Sequence, residues 1–210
     1  MSNRKWNILI VCEGYEEKPY MDKILNFPCI KNNEKYCFSE CVNAKGNGSI
    51  FARYQDKLQS GRYDLVLVFC DTDKGSQQFL EIKKKFADEL FGGDKKLTDG
   101  LFIFCNPVTL QIVLSHFGKV ELKNVSKKKN GKIVEKLTGI KNYDAKDEQI
   151  NEIIGLVTYK TYDRMKENLK NISEDLNQLP STNLLKFLRY FESDDDSWIS
   201  NLLKKINKAN

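Results

Sequence analysis

Leu65-Val66-Leu67-Val68-Phe69-Cys70 is an uninterrupted apolar run that ends directly in Asp71-Thr72-Asp73. A run of this length, rich in Val and Leu and without polar alternation, is typical of a strand buried on both faces of a parallel α/β sheet. In such sheets, ligands bind beyond the carboxyl ends of the strands. The segment therefore predicts a parallel sheet and, where the strand ends, a position suited to a binding site.

A second apolar run, Asn7-Ile8-Leu9-Ile10-Val11-Cys12, ends in a similar way, in Glu13-Gly14. We predict strands over 7–12, 36–42, 64–70 and 101–105. Helical spacing of apolar residues and helix-stop residues predict the intervening helices, which cover 15–25, 50–59, 76–90 and 108–117. This alternating β-α order indicates a mainly parallel sheet flanked by helices on both faces, with right-handed crossovers.

Beyond Lys119 the pattern becomes helical, with segments predicted at 147–158, 159–178, 181–192 and 198–207. Asp194-Asp195-Asp196 precede the last segment. We interpret these acids as its cap, because negative charge at that end favours the helix dipole. We expect residues 1–120 to form an α/β core and residues 121–210 to form a basic segment with a helical C-terminal extension.

Composition sets broad limits on the protein. The 210 residues carry a net charge of +5, with 34 Lys and Arg against 29 Asp and Glu. This balance is compatible with nucleic-acid binding without demonstrating it. No stretch approaches the ~20 apolar residues of a membrane span, and the chain start leads into an apolar run too short for a signal peptide. We therefore expect a soluble, cytoplasmic protein without a membrane partner.

The six cysteines are interpreted mainly as reduced structural thiols. Three of them end apolar runs, where a free cysteine behaves as a small buried hydrophobe. A zinc site is the alternative. The candidate cluster for it, Cys29, Cys37 and Cys41, lacks a C-x-x-C knuckle and a nearby histidine.

Lysines are concentrated between Lys119 and Lys141, with Lys127-Lys128-Lys129 near the centre of the segment. One interpretation is contact with a phosphate backbone, in which lysines gain affinity by releasing condensed counterions. The other is a solvated hairpin or loop with Asn130-Gly131 as its turn. The sequence leaves both open.

The acids at the strand ends form a candidate metal site. Successive side chains of a strand alternate between faces, so Asp71 and Asp73 lie on one side and Thr72 on the other. Glu13 would reach the same point if the first and third strands are adjacent, and Gly14 lets the backbone turn tightly there. Such carboxylates repel one another unless they bind a cation or a proton, and their oxygens suit Mg²⁺ or Mn²⁺. The alternative is that the two aspartates only begin a polar loop.

Together these motifs resemble the Toprim domain, which uses a Glu after its first strand and an Asp-x-Asp after its third. Glu13-Gly14-Tyr15-Glu16-Glu17-Lys18-Pro19-Tyr20 is similar to the E-G-x-T-E-x-x-Y opening of RloB-like Toprim proteins, with Glu16 in the place of Thr. The segment from Asn106 to Phe117 resembles the family's N-P-x-F-E-x-W-x-L-L-H-F signature. It differs at three positions, where Thr109, Leu110 and Ile112 stand for Phe, Glu and Trp.

The resemblance implies a Mg²⁺-dependent nuclease-like component of bacterial anti-phage defence, often encoded beside an ATPase in abortive-infection and restriction-linked loci. The chain is also similar to the OLD (overcoming lysogenisation defect) family, whose E-x-x-x-E pair and D-x-D hold two metals. Glu13 and Glu17 have that spacing, so the implied metal ligands are Glu13, Glu17, Asp71 and Asp73. Glu17 is alternatively a helix-start carboxylate favoured by the dipole.

Residues around the end of the fourth strand have two interpretations each. Asn106 is a candidate for orienting a substrate, or Asn106-Pro107 simply starts a helix with Pro at its first position. His116, the only histidine, is either a hydrogen-bonded core residue or a group that contacts substrate. Leu110 stands where the family has its Glu, so any metal-related role of that position would fall in part to Gln111.

The sequence thus predicts a Toprim-like core over 1–120 that hydrolyses nucleic-acid phosphodiesters. The choice between DNA and RNA stays open. One alternative is a regulatory subunit whose acids bind a metal-nucleotide and which acts only with a partner ATPase. Another is a non-catalytic interaction module whose acids are loop residues. The predicted catalytic residues are Glu13, Asp71 and Asp73, and the predicted substrate contacts are Lys127, Lys128 and Lys129.

Overall fold

Six strands form one sheet in the part of the chain that the computed structural model describes, residues 4–72 and 76–209. β1 pairs in parallel with β2, β3 and β4, and β4 pairs in parallel with β5, whereas β6 is antiparallel to β5. The predicted mainly parallel sheet is confirmed. The strands are β1 (Trp6–Cys12), β2 (Tyr36–Phe38), β3 (Val42–Asn43), β4 (Leu65–Asp71), β5 (Phe102–Asn106) and β6 (Ser181–Thr182).

Helices flank this sheet and continue through the C-terminal region, as predicted. They are α1 (Glu17–Leu25), α2 (Pro28–Lys31), α3 (Ile50–Gln59), α4 (Ser76–Leu90), α5 (Lys95–Asp99), α6 (Leu110–Ser115), α7 (Lys127–Thr138), α8 (Asp147–Leu156), α9 (Tyr159–Leu169), α10 (Leu184–Glu192) and α11 (Ser197–Ala209). Within the described ranges, no helix combines the length and the apolar character needed to cross a membrane.

The central strands are buried because their apolar runs lie under helices. Every residue of β4 is buried, as predicted for this strand. Phe86 of α4 packs edge-on against the rings of Phe51, Tyr54 and Phe102, with ring centroids 5.0, 4.7 and 4.8 Å apart. Full burial of an aromatic side chain of this size stabilises the fold by about 1.5–3 kcal/mol. These contacts fix α4 to α3 and to β5, the strand beside the one that ends in Asp71.

The middle of the basic segment, Lys127–Thr138, is the helix α7, so the alternative of a hairpin or loop with its turn at Asn130-Gly131 is wrong. Asn130 lies inside α7, is buried, and donates from Nδ2 to the carbonyl oxygen of Asn124 over 2.9 Å. A Cβ atom on Gly131 would lie 3.3 Å from the carbonyl oxygen of Tyr143. Close packing and a buried amide therefore outweigh the local turn preference of an Asn-Gly pair. Gly139 ends α7 with a left-handed φ of 81°.

The C-terminal part of the chain completes the sheet. In addition to β6, the Asn183 side chain acts on β5: its Oδ1 accepts from the Phe104 N–H over 2.9 Å and its Nδ2 donates to the Phe102 carbonyl over 2.8 Å. The segment over 181–192, predicted as a helix, therefore begins with the strand β6. The side-chain amide of Asn183 then forms hydrogen bonds with β5 of the kind that a strand would form. The division of the chain at residue 120 stays a prediction.

Other predicted bounds differ in detail. The strand predicted over 36–42 is split into β2 and β3, and the helix predicted over 159–178 ends at Leu169. The predicted acidic cap of the last helix is confirmed at Asp195, whose carboxylate accepts from the Ser197 N–H over 2.9 Å. Hydrogen bonds from Ser197 lower the pKa of this carboxyl.

All six cysteines are free thiols. Cys12, Cys41, Cys70 and Cys105 are buried, which fits the interpretation as structural thiols. Burial raises the pKa of Cys12, Cys70 and Cys105 above the usual value. The hydrogen bond with Cys12 lowers the pKa of Cys41, but burial and the nearby Asp22 outweigh it and leave that pKa raised.

Candidate functional site

The first and third predicted strands, β1 and β4, are neighbours, so their acidic ends meet. Cys12 pairs with Phe69 in the parallel register, and the Glu13 N–H donates to the Phe69 carbonyl over 2.9 Å. The Asp71 N–H then donates to Oε2 of Glu13 over 3.2 Å. The adjacency on which the sequence hypothesis depended is confirmed, and it brings Glu13 and Asp71 into contact at the carboxyl edge of the sheet.

Glu17 opens α1 at the same edge. Its carboxylate is buried, with 4% of the residue exposed, and its Oε2 would lie 3.2 Å from a Cβ atom on Gly14. Because glycine has no Cβ atom, it fits at position 14 without displacing this carboxylate. The glycine is needed here for close approach rather than for a left-handed turn.

The electrostatic surroundings of Cys70 show that the three acids are near one another. Burial is the main cause of the raised pKa of this thiol, and the charges of Glu13, Asp71 and Glu17 raise it further. Asp71 and Glu17 act in the same direction on Cys105 in the next strand. The three carboxylates therefore lie near the end of β4, and Asp71 and Glu17 also lie near the end of β5.

The donor set suits a hard divalent cation, because it consists of carboxylate oxygens. Asp73, the fourth predicted ligand, lies outside the described residues. Among the side chains that the structure does describe, no three from His, Cys, Asp and Glu converge closely enough to hold a metal ion. Glu13, Glu17 and Asp71 thus supply a suitable chemistry and a shared location, but not a closed coordination sphere.

Asn106, at the end of β5, holds a loop in place. Its Oδ1 accepts from the Thr72 hydroxyl over 2.9 Å, and its Nδ2 donates to the carbonyl oxygens of Leu176 and Gln178 over 3.0 and 2.9 Å. A role in orienting substrate stays a prediction. The alternative that Pro107 takes the first position of a helix is wrong, because α6 begins at Leu110.

His116 is a fully buried junction between helices. Its Nε2 lies 3.1 Å from the Tyr20 hydroxyl of α1, and its Nδ1 lies 3.0 Å from the Thr161 hydroxyl of α9. Because Thr161 donates its own proton to the Thr158 carbonyl, we assign the imidazole proton to Nδ1 and the Tyr20 proton to the bond with Nε2. Burial lowers the pKa of His116 to about 3. These contacts favour the core interpretation over contact with substrate.

The side chain of Gln111 forms hydrogen bonds with the main chain that follows α6. Its Nε2 donates to the Val120 carbonyl over 2.7 Å, and its Oε1 accepts from the Leu122 N–H over 2.8 Å. The adjacent Leu110 is also buried. The side chain of Gln111 therefore fixes a chain segment, and its contacts do not support a replacement for the family's Glu.

The basic helix α7 packs against Tyr143, whose hydroxyl lies within range of the charge of Glu16. Gly131 of α7 lies against the main chain of Tyr143, and the pKa of the Tyr143 hydroxyl is raised by burial and by the charge of Glu16. Lys129 is exposed on the first turn of α7, whereas the side chains of Lys127 and Lys128 lie outside the described part of the structure.

Glu16 and Tyr143 were not anticipated as parts of this region. Glu16 is a departure from the RloB-like motif, and it is buried beside Glu17 with 5% of the residue exposed. The presence of Glu16 where the motif has Thr was the signal that could have drawn attention to this residue. No local pattern marks Tyr143, because its proximity arises only from the packing of distant segments.

Comparisons with known proteins leave the family open. No protein-family model, curated protein or solved structure matches this chain significantly. The resemblance to RloB-like Toprim proteins rests on the motifs alone.

Proposed function

We propose that this protein is a Mg²⁺- or Mn²⁺-dependent nuclease that hydrolyses phosphodiesters at the carboxyl edge of the sheet. The observation that carries the proposal is the contact between Glu13 and Asp71 at the ends of two adjacent parallel strands. Ligand sites of open α/β sheets lie at this edge. The buried carboxylate of Glu17 adds a third acid to the same region.

Glu13, Glu17, Asp71 and Asp73 are the residues that would hold the ion. When bound, it would polarise the scissile phosphate and stabilise the leaving oxygen. The main-chain N–H of Asp71 orients the Glu13 carboxylate, which suits Glu13 for taking a proton from the attacking water. Acids gathered in a partly buried place repel one another, and a divalent cation would offset that repulsion.

The lysines of the basic helix would bind the substrate backbone. Lys127, Lys128 and Lys129 occupy the first turn of α7, and α7 packs through Tyr143 toward Glu16. Lysines in this position would bind phosphates without reading sequence. By the motif resemblance, we further propose a role as an effector in anti-phage defence together with a partner ATPase.

Cleavage by the purified full-length protein tests the proposal. Plasmid DNA, single-stranded DNA and tRNA are incubated with Mg²⁺, with Mn²⁺ or with EDTA, beside Glu13→Gln and Asp71→Asn. We expect metal-dependent cleavage of at least one substrate, with a loss of 100-fold or more in both variants, as is typical when a group that acts in the transition state is removed (about 10²–10⁴-fold). Glu152→Gln, an exposed carboxylate on α8, is the matched control and should cleave normally.

One observation favours a second candidate. Buried Leu110 and main-chain-bonded Gln111 leave the position of the family's Glu without a carboxylate, which suits binding of a metal-nucleotide without cleavage. In that case the protein binds Mn²⁺ in a manner that depends on Glu13 and Asp71, but cleaves no substrate until a partner ATPase is added.

A further inference from the structure

A groove of about 310 Å³ lies between α5, α10 and α11. It is at the opposite end of the sheet from the acids. Gly100, just before β5, packs so tightly against Leu202 of α11 that a Cβ atom would lie 2.9 Å from Leu202 Cδ1. Trp6, at the start of β1, donates from Nε1 to Asp196 Oδ2 over 2.8 Å. Helix α11 is therefore fixed at the amino ends of the strands.

Aromatic rings form one wall of the groove. Tyr190 of α10 and Trp198 of α11 are stacked, with centroids 4.9 Å apart and ring planes 8° from parallel. Trp198 is held in this orientation because its Nε1 donates to the Tyr36 hydroxyl over 2.8 Å. Both residues are partly exposed. The stacked pair is thus preorganised and partly exposed where it lines the groove.

Three exposed lysines line the same groove, one from each helix: Lys96, Lys186 and Lys205. The ion pairs found among the described residues do not include them. Asp99 is the acid in the lining, and it is already paired with Lys83. The groove therefore has a surplus of positive charge.

We propose that this groove binds single-stranded nucleic acid, with a base stacked on the Tyr190–Trp198 wall and the neighbouring phosphates held by Lys96, Lys186 and Lys205. Stacking on an aromatic ring combined with a basic track is the usual way in which proteins hold single strands without reading sequence. The lysines gain affinity by releasing counterions. An acidic peptide would pair with the lysines, but it would leave the exposed part of the stacked Tyr190–Trp198 pair without a planar ligand.

This groove does not depend on the proposed nuclease site. It lies at the other end of the strands and contains no proposed metal ligand, so binding should persist in EDTA. If the protein does cleave nucleic acid, the groove would hold a strand at a distance from the point of cleavage. Binding and cleavage can therefore succeed or fail separately.

Binding of a fluorescein-labelled oligo(dT) or oligo(U) to the full-length protein in EDTA tests the proposal by anisotropy. We expect saturable binding of both, quenching of tryptophan fluorescence, and affinity that falls linearly with log salt. Lys186→Glu/Lys205→Glu should weaken binding about 10-fold or more and flatten the salt dependence. Tyr190→Leu should weaken binding with the salt dependence unchanged, because it removes stacking and no charge.

Two controls make the result decisive. Lys160→Glu/Lys208→Glu changes the net charge equally, at exposed lysines outside the groove lining, and should bind nearly as the parent does. Glu13→Gln should bind normally whether or not it cleaves. Unchanged binding by Lys186→Glu/Lys205→Glu would overturn the proposal, and so would equally tight, Lys186-dependent binding of oligo-glutamate, which would assign the groove to acidic peptides.

Discussion

The Oε2 atom of Glu17 lies 3.2 Å from the point at which a Cβ atom would project from Gly14. This distance is shorter than ordinary van der Waals contact, so a side chain at position 14 would move the carboxylate by a few tenths of an ångström. The glycine of the E-G motif and the acid four residues after Glu13 are therefore one structural unit.

Gly14→Ala tests that unit. Small displacements of groups that orient metal ligands commonly cost about 10–100-fold in affinity, so we expect Gly14→Ala to weaken Mn²⁺ binding by about 10-fold or more, measured by calorimetry. Gly48→Ala is the control, because a Cβ atom there would meet nothing within 4 Å. Equal affinities in the two variants would show that Glu17 is not a ligand.

His116 predicts a loss of stability in mild acid. Its pKa falls from 6.5 in the unfolded chain to about 3 in the folded protein, so the unfolded state takes up a proton that the folded state does not. Its contribution is therefore fully present above pH 6.5 and is lost progressively as the pH falls from 6.5 toward 3. By pH 5 the free energy of unfolding should fall by about 2 kcal/mol from this group alone.

Urea unfolding at a series of pH values measures this effect. In His116→Gln the decline between about pH 6.5 and pH 5 should largely disappear, although the variant is less stable at neutral pH. The chain has a single histidine. An unchanged decline of stability with falling pH in the variant would therefore show that carboxylates cause it.

Tyr143→Phe should leave the protein as stable as the parent or stabilise it by about 1 kcal/mol. The Tyr143 hydroxyl is buried and has no hydrogen-bond partner among the described residues, so removing it relieves a desolvation cost. Tyr162→Phe is the matched comparison, because the Tyr162 hydroxyl donates to Glu192 Oε1 over 2.6 Å. That variant should lose about 1–3 kcal/mol in urea unfolding. An equal loss of stability in both variants would contradict the assignment of the Tyr143 hydroxyl as a buried group without a hydrogen-bond partner.

Gln111→Leu should be strongly destabilising. The substitution leaves the Val120 carbonyl and the Leu122 N–H without their hydrogen-bond partner, and both bonds are at least partly buried. The loss costs roughly 2–4 kcal/mol in the free energy of unfolding. Gln149, which is half-buried, makes the same pair of main-chain bonds, to Asn142 and Asp144, and both of these bonds are exposed. Gln149→Leu should cost less than about 1 kcal/mol, since water replaces the amide. Thermal and urea unfolding of the two variants measure this difference in stability.

The sequence was sufficient for features that depend on local patterns. The apolar runs of β1 and β4 are long enough to specify buried strands, and the acids that follow them in sequence lie at the same edge in space. Their adjacency was a condition that the sequence did not establish, because strand order depends on which crossovers the helices permit.

Features that arise between distant segments were not predictable. The helical state of Asn130-Gly131 depends on packing against Asn124 and Tyr143. The role of His116 became clear only from its partners Tyr20 and Thr161, which lie on other helices. β6 is too short for any periodicity to reveal it.

The amide of Asn183 closes part of an open edge of the sheet. It occupies the main-chain N–H of Phe104 and the carbonyl of Phe102, where a sheet edge would otherwise present open hydrogen-bonding groups. Exposed edges of apolar strands recruit strands from other molecules. A chain truncated before Ser181 would lose both β6 and this amide and would uncover β5 along its length, so we expect it to aggregate. The side chain of Asn183 thus extends to Phe102 and Phe104 the protection that β6 gives to Cys105 and Asn106.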